Sequence, residues 1–206
     1  MTDPSSPTKR ATCAACLRAQ SACICHWVRP LSSRAGLLIL QHPLEVRNAK
    51  NSARLLHLCL AGSRLEVGEA FAPGQLAALL GADGRTPLLL YPDTPPSPAA
   101  PAPLPPPRPE DVTLVVLDAT WRKSRKMLHL NPLLQSLPRL ALHDVAPSAY
   151  RIRKAHAAHQ LSTLEAAALA LARIEGDPGR YEPLLAAFDG FVQQLAAHDP
   201  YLAKGS

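Results

Sequence analysis

The run Val112-Thr113-Leu114-Val115-Val116-Leu117-Asp118 is the strongest strand signal in the chain. It is rich in β-branched residues and continues without a turn-forming residue up to the acid Asp118. In open α/β sheets, ligands bind beyond the carboxyl ends of the strands. The segment Asp118-Ala119-Thr120-Trp121 is therefore the first place to look for function.

Three other segments predict further strands. Leu37 to Leu40 is a short apolar run that suits a strand buried on both faces. Leu88 to Leu90 leads into Tyr91-Pro92, and Leu137 to Leu142 predicts a last strand. Together with the central run they indicate one sheet.

Helical patterns alternate with these strands. The apolar spacing from Asn51 predicts a helix of about ten residues that Gly62 closes. Ser162 and Glu165 form an S-x-x-E capping box at the start of an alanine-rich helix. Leu184 to Leu195 predicts a last helix whose apolar stripe covers the sheet. The alternation predicts an α/β fold, with a mostly parallel sheet flanked by helices.

A proline-rich insertion interrupts this pattern at 93–109. Ten of the 22 prolines lie between Pro92 and Pro109. Such a tract cannot pair within a sheet and lacks the residues to form a core of its own. We expect it to be an insertion into the main domain, which spans 31–206.

The cysteines predict a small metal-binding segment at 1–30. Four of the five cysteines lie close together, at Cys13, Cys16, Cys23 and Cys25. Two close-spaced thiolate pairs offer Zn²⁺ the tetrahedral site that is typical of closed structural centres. A redox pair or chance clustering are the alternatives. Cys59 lies in an apolar stretch and is most simply a small buried hydrophobic residue.

The charge of the chain favours an anionic partner. Its 206 residues carry a formal net charge of +6, and nucleic acid is the commonest partner of such intracellular proteins, although solubility alone could explain the charge. No apolar run approaches the ~20 residues of a membrane helix. Met1 to Arg10 is polar and unlike a signal peptide, so we expect a cytosolic protein.

The residue pattern alone allows two interpretations of the segment after the central strand. Asp118 or Thr120 could simply cap a helix that begins at Thr120 or Trp121. Trp121 could be an aromatic residue of the core. Alternatively, the cations between Arg122 and Lys126 could contact phosphates beside a catalytic acid.

The chain resembles the DTW-domain family, which is named for a D-x-T-W signature. Asp118-Ala119-Thr120-Trp121 matches that signature, and further family elements occur in the family's order along residues 13 to about 175. These are the cysteine cluster with Arg29-Pro30, Gln41-His42-Pro43-Leu44-Glu45, Asn51, Leu90-Tyr91-Pro92, Arg122-Lys123, Asn131-Pro132, the Arg151 to Lys154 cluster and Leu161 to Ala166. Asn51-Ser52 stands where many members have Asn-Thr, a change that keeps the hydroxyl.

The resemblance implies a SPOUT-related fold with a C-terminal trefoil knot and a tRNA-uridine aminocarboxypropyltransferase that uses S-adenosylmethionine as co-substrate. It implies Asp118 as the base, with Thr120 and Trp121 beside it. The implied cofactor-binding residues are Leu90, Tyr91, Pro92, Leu161, Ser162, Thr163 and Glu165. The implied tRNA-binding residues are Arg122, Lys123, Arg151, Arg153, Lys154, Arg47 and Lys50.

Two other functions remain open. A SPOUT-type RNA methyltransferase would use the same fold and cofactor but transfer the methyl group. A non-catalytic zinc-containing RNA-binding module would share the cysteines and the basic clusters but would have no need of a cofactor pocket. The oligomeric state is not determined by the sequence, and a monomer is compatible with it.

Overall fold

The computed structural model describes residues 11–92, 108–142 and 161–198. Within them, five parallel strands form one sheet in the order β2-β1-β4-β3-β5. The strands are β1 (Gly36–Gln41), β2 (Arg64–Val67), β3 (Thr86–Leu90), β4 (Val112–Asp118) and β5 (Arg139–Leu140). The mostly parallel α/β sheet predicted from the sequence is confirmed.

Strand β4 lies at the centre of the sheet, and every one of its residues is buried. It pairs with β1 on one side and with β3 on the other. The register places Gln41, the last residue of β1, directly beside Asp118. Two polar side chains therefore end two neighbouring buried strands at the same edge.

Helices cover both faces of the sheet. They are α1 (Ala53–Cys59), α2 (Pro73–Gly81), α3 (Trp121–Leu130), α4 (Pro132–Gln135), α5 (Thr163–Glu175) and α6 (Glu182–His198). Because successive side chains along a strand point to opposite faces, each strand contributes residues to the cores on both faces of the sheet. Ile39 and Val116 join a core with α1, α5 and α6, whereas Leu38 and Val115 join a second core with α2, α3 and α4.

Four predicted strands exist, but the last one is shorter than expected. The structure assigns only Arg139–Leu140 to β5, where Leu137 to Leu142 was predicted. Pro138 lacks an N–H, and its carbonyl accepts the N–H of Leu89 at the point where the pairing begins. Strand β2, helix α2 and the short helix α4 were not predicted from the sequence.

The first predicted helix ends earlier than expected. Helix α1 closes at Cys59, and its C-cap Leu60 is extended. Gly62 does adopt the left-handed conformation, with φ +75°, but it does so in the turn that leads from the helix to β2. The glycine therefore shapes the connection and does not cap the helix.

The last two helices follow the sequence prediction more closely. Ser162 and Glu165 form the reciprocal capping box at the start of α5, and the left-handed Gly176 ends that helix. Helix α5 packs against β4, however, while α6 packs mainly on α5, α1 and the segment 11–30, which contains the four clustered cysteines and is called the cysteine-rich segment below. Leu184, Phe188 and Phe191 of α6 nevertheless share one core with Ile39 and Val116 of the sheet.

The cysteine-rich segment is docked on α6. Trp27 lies against Gly190, where any side chain would collide with the indole ring. The indole N–H of Trp27 donates to Gln194 at 2.7 Å, and Gln194 donates in turn to the carbonyl of Cys23. Ile24 is fully buried in the same core as Phe191.

Some predicted features lie outside the described residues. These are most of the proline-rich insertion, the basic residues Arg151, Arg153 and Lys154, and the chain termini. Among the helices of the described ranges, none has the length and apolar character needed to cross a membrane.

Candidate functional site

Asp118 is the centre of a buried hydrogen-bond network at the carboxyl edge of the sheet. Its side chain is only 3% exposed. Oδ2 accepts hydrogen bonds from Gln41 Nε2 at 2.8 Å and from Asn51 Nδ2 at 2.6 Å. Oδ1 accepts from the Thr163 hydroxyl at 2.7 Å. The carboxylate thus joins the ends of two strands to the loop before α1 and to the start of α5.

These contacts exclude the helix-capping interpretation of Asp118. Helix α3 begins at Trp121, and Thr120 occupies its N-cap position without a capping bond from its side chain. The oxygens of Asp118 instead bond with Gln41, Asn51 and Thr163.

Asn51 and Ser52 connect the two helices that start near Asp118. Asn51 Oδ1 accepts the N–H of Ala53 at 3.0 Å, at the start of α1. The Ser52 hydroxyl accepts the N–H of Leu164 at 3.3 Å, at the start of α5. The first turns of both helices are therefore held to one loop.

Neither Gln41 nor Asn51 was predicted as a site residue. Gln41 ends a buried strand just as Asp118 does, and this is the signal that could have identified it. Asn51 belonged to the family resemblance but carried no role. Their meeting at one carboxyl oxygen depends on strand register and on the path of a loop.

A cleft of about 850 Å³ opens beside this network. Small-molecule sites usually measure roughly 300–1,000 Å³. Its walls come from the ends of β3, β4 and β5 and from the first residues of α3 and α5. The predicted site residues that line it are Leu90, Tyr91, Pro92, Thr120, Trp121, Arg122, Leu161, Ser162 and Thr163.

Glu165 and Asp118 are not among the residues that line this cleft. Glu165 is buried and accepts the N–H of Ser162 at 2.7 Å as part of the capping box. Thr163, whose hydroxyl donates to Asp118 Oδ1, is one of the lining residues and so connects Asp118 to the cleft.

Two aromatic rings form one side of the cleft. Tyr91 and Trp121 stack with ring centres 5.3 Å apart and planes inclined by 11°. Trp121 is 53% exposed, which rules out a role as a core aromatic. The buried Tyr91 hydroxyl has no hydrogen-bond partner within the described part of the chain. An exposed indole and an unsatisfied hydroxyl are what a ligand site offers.

A second polar network lies beside the first. Lys123 pairs with the buried Glu45 at 2.8 Å, and Asn48 also donates to that carboxylate. Burial alone would raise the pKa of Glu45, but these two hydrogen bonds and the nearby positive charge of Lys123 lower it, and the pKa lies below its ordinary value. Lys123 is thus already paired, whereas Arg122, Arg47 and Lys50 are exposed.

The four clustered cysteines have the geometry of a metal centre. Their sulfur atoms all lie within 4.8 Å of one another, with Cys13 Sγ 3.6 Å from Cys25 Sγ and Cys16 Sγ 3.8 Å from Cys23 Sγ. A tetrahedron with zinc–sulfur bonds of ~2.3 Å has edges of about 3.8 Å, so the sulfurs fit one zinc ion.

The thiols also differ in acidity. Backbone N–H groups of Cys16 and Ala15 lower the pKa of Cys13 to about 6. Desolvation and the neighbouring sulfurs raise the pKa of Cys25 to about 12. Crowded sulfurs resist full deprotonation on their own, and a bound cation would overcome that resistance.

Comparison with known protein families gives a match over most of the chain. The DTW domain family matches residues 10–196 of the chain. No solved structure shows a significant match.

Three relatives share the name tRNA-uridine aminocarboxypropyltransferase 2. The mouse protein, from Mus musculus, is 31% identical over 193 residues, which cover 86% of this chain and 61% of the relative. The Macaca fascicularis protein is 30% identical over 199 residues, covering 88% and 63%. The Drosophila melanogaster protein is 33% identical over 187 residues, covering 84% and 70%. The chain spans about three fifths of the length of the mouse and macaque relatives.

Proposed function

The chain belongs to the DTW-domain family, and on that premise we propose that it transfers the 3-amino-3-carboxypropyl group of S-adenosylmethionine to the imino nitrogen of a uridine in tRNA. Methylthioadenosine is the second product. The observation that carries the proposal is the cleft at the carboxyl edge of the sheet, whose wall includes Thr163 in contact with the buried Asp118. The names of the relatives supply the substrate class.

S-adenosylmethionine would bind in this cleft. The segments Leu90-Tyr91-Pro92 and Leu161-Ser162-Thr163 line it, and the family resemblance assigns both to the cofactor. The buried Tyr91 hydroxyl, which has no hydrogen-bond partner among the described residues, would donate to the bound molecule. Orientation decides the product, because the γ-carbon of the methionine part must face the uracil nitrogen with the sulfur behind it.

The chemical step requires a proton acceptor. As the bond between nitrogen and γ-carbon forms, the carbon–sulfur bond breaks and its electron pair stays on the sulfur of methylthioadenosine. The imino proton must leave the uracil, and we assign Asp118 as its final acceptor. Because Thr163 lines the cleft and Asp118 does not, the proton would pass to the Thr163 oxygen while the proton of that hydroxyl moves to Asp118 Oδ1.

The tRNA would approach over the face that carries Trp121. The exposed indole offers a stacking surface for the target base, and Thr120 lines the same cleft. Arg122, Arg47 and Lys50 are exposed cations that would contact phosphates, with Lys123, Arg151, Arg153 and Lys154 as further proposed contacts. The cysteine cluster would hold one structural zinc ion.

The finer fold assignment is part of the proposal. A parallel sheet with ligands at its carboxyl edge is compatible with a SPOUT-related domain, and we infer from the family resemblance that the chain closes in a C-terminal trefoil knot. An experimental trace through 143–160 would test this. The cytosolic location predicted from the sequence also remains a proposal.

Bulk tRNA from cells that lack the activity, incubated with the protein and S-adenosylmethionine, tests the function. Digestion to nucleosides and mass analysis should reveal an aminocarboxypropyl uridine. A methylated nucleoside would indicate a methyltransferase instead. Binding of tRNA without any product and without cofactor binding would leave only an RNA-binding module.

A further inference from the structure

The cysteine-rich segment makes direct contact with the loop that precedes α1. Arg18 Nη1 donates to the carbonyl of Ala49 at 2.7 Å, and Arg18 Nη2 donates to the carbonyl of Asn51 at 2.9 Å. Arg54, in the first turn of α1, donates to the carbonyl of Ala15 in the cysteine-rich segment through Nε at 3.1 Å and through Nη2 at 2.7 Å. Four hydrogen bonds thus join two segments that are distant in sequence.

The cysteine cluster fixes the position of Arg18. Arg18 lies between the ligand candidates Cys16 and Cys23, and its carbonyl accepts the N–H of Cys13 at 2.8 Å. Leu17 adopts a left-handed conformation with φ 61°, which is uncommon for a leucine and turns the chain back at this point. The guanidinium also lies 4.7 Å from the centre of the Phe191 ring on α6.

The other side of the same loop reaches the proposed base. Asn51 accepts from Arg18 through its backbone carbonyl and donates to Asp118 Oδ2 through its side chain at 2.6 Å. Only two contacts therefore separate the cysteine segment from the carboxylate. The order of contacts is Arg18, Asn51 and Asp118.

We propose that Arg18 is a positioning residue through which the cysteine segment, once a metal orders it, sets Asn51 and with it the Asp118 carboxylate. This inference rests on the proposed function for the role of Asp118. Arginine suits the task because its planar fork can donate to two carbonyl oxygens at once, whereas a lysine ammonium is a single point charge. The cysteine segment then contributes to the geometry of the reaction as well as to folding.

The central variant is Arg18→Ala, and Arg180→Ala is its matched control. Arg180 donates to the carbonyl of Ser32 through Nε at 3.1 Å and Nη2 at 2.9 Å, and its Nε also lies 3.2 Å from a carboxylate oxygen of Glu175, next to the amino end of β1 and away from Asp118. Both variants lose an arginine that fixes a backbone segment. Only Arg18→Ala should affect the reaction.

We expect Arg18→Ala to lower kcat for tRNA modification about ten- to a hundredfold, since small misplacements of reacting groups cost that much, with KM for S-adenosylmethionine changed less than about twofold. Its metal content should equal that of the parent. Amide hydrogen exchange should rise across 49–53. Arg180→Ala should leave kcat and exchange at 49–53 unchanged, and Arg18→Lys should fall between parent and alanine.

Metal removal provides a second arm. If the influence of the cluster passes through Arg18, chelation should slow the parent but add little to the loss already present in Arg18→Ala. The proposal would be overturned if chelation and Arg18→Ala lowered kcat additively. It would also be overturned if Arg18→Ala and Arg180→Ala had the same kcat, or if Arg18→Ala left amide exchange at 49–53 unchanged. Should the parent modify no tRNA, the proposed function fails, and the exchange measurement still decides whether Arg18 orders this loop.

Discussion

At the scale of single residues, both oxygens of the buried Asp118 carboxylate accept hydrogen bonds from side chains. Gln41, Asn51 and Thr163 all donate to it, and of these four residues only Thr163 lines the cleft. Such a carboxylate can act in two ways, as a fixed anchor for the surrounding elements or as a proton acceptor that works through a neighbouring hydroxyl. The two roles predict different behaviour of Thr163.

Thr163→Val removes the hydroxyl with little change in shape. If Asp118 accepts the proton through Thr163, we expect kcat for transfer to fall on the order of a hundredfold or more, as is typical when a proton-transfer group is lost. Asp118→Asn should show a similar fall and should also lower the free energy of unfolding by about 1–3 kcal/mol, because an amide N–H₂ then faces hydrogen-bond donors.

Thr163→Ser is the control, because it keeps the hydroxyl and should retain most of the activity. Single-turnover rates at saturating S-adenosylmethionine separate the chemical step from binding in all three variants. Parental rates in Thr163→Val would remove Thr163 from the proton path. Parental rates in Asp118→Asn would remove Asp118 as the base and leave cofactor orientation as the main source of catalysis.

The sequence identified only part of this network. Asp118 and Thr163 were predicted because each lies in a motif that also resembles the family. Gln41 and Asn51 received no role, because their contact with Asp118 depends on the β1–β4 register and on the fold of the loop before α1. Local patterns contain neither piece of information.

At the scale of elements, helix α5 contacts both ends of the central strands, the carboxyl end with its first residue and the amino end with its last. Its first residue, Thr163, contacts Asp118 at the carboxyl edge. Its last residue, Glu175, accepts the Arg34 N–H at 2.6 Å, the Ala35 N–H at 3.1 Å and the Ser33 hydroxyl at 2.9 Å, just before β1 begins. The helix thereby fixes β1 at one end and the proposed base at the other.

We predict a pH-dependent contribution of Glu175 to stability. Burial would raise its pKa, but the hydrogen bonds from Ala35, Ser33, Tyr181 and Arg34 outweigh burial and hold the pKa below its ordinary value. A lowered pKa in the folded state stabilises the protein above the unfolded value of about 4.3, and this stability is lost as the pH falls through the folded value. Glu175→Gln should therefore be less stable by about 1–3 kcal/mol at neutral pH.

Denaturant unfolding from pH 7 down to pH 3 checks this. The difference between parent and Glu175→Gln should shrink as the carboxyl becomes protonated. Glu110→Gln is the control, because Glu110 is about half exposed in its pair with Arg34 and such surface pairs contribute little. A difference that stays constant with pH would show that the charge of Glu175 is not what stabilises this turn.

Burial explains which elements the sequence could predict. Strand β4 is buried along its whole length, and its continuous apolar run therefore predicted a strand. Strand β2 is an edge strand, none of its four residues is buried, and with Arg64 and Glu66 among them it has no such pattern. Strand β5 has only two residues. Edge strands need little burial, and their sequences therefore carry little signal.

At the scale of the whole molecule, the cysteine-rich segment, the sheet and α6 form one continuous structure. Cys16 and Ile24 are buried in the same core as Leu55 and Phe191. The segment therefore contacts the core of the domain as well as the loop that holds Asn51.

We predict that the purified protein binds one zinc ion per chain through Cys13, Cys16, Cys23 and Cys25. Elemental analysis under reducing conditions should give one equivalent, and Cys25→Ser should lose it together with part of the thermal stability. Cys59→Ala is the control, since Cys59 is buried outside the cluster and should leave the metal content unchanged. Absence of stoichiometric metal in the parent would contradict the assignment.

The most direct test of the proposed reaction follows two labels through it. One batch of S-adenosylmethionine carries its label in the aminocarboxypropyl carbons and the other in the methyl group, and each is incubated with the protein and bulk tRNA. We expect the first label to enter uridine and the methyl label to leave as methylthioadenosine. Methyl label in the tRNA, with release of S-adenosylhomocysteine, would contradict it, and so would the absence of both labels from tRNA that the protein binds.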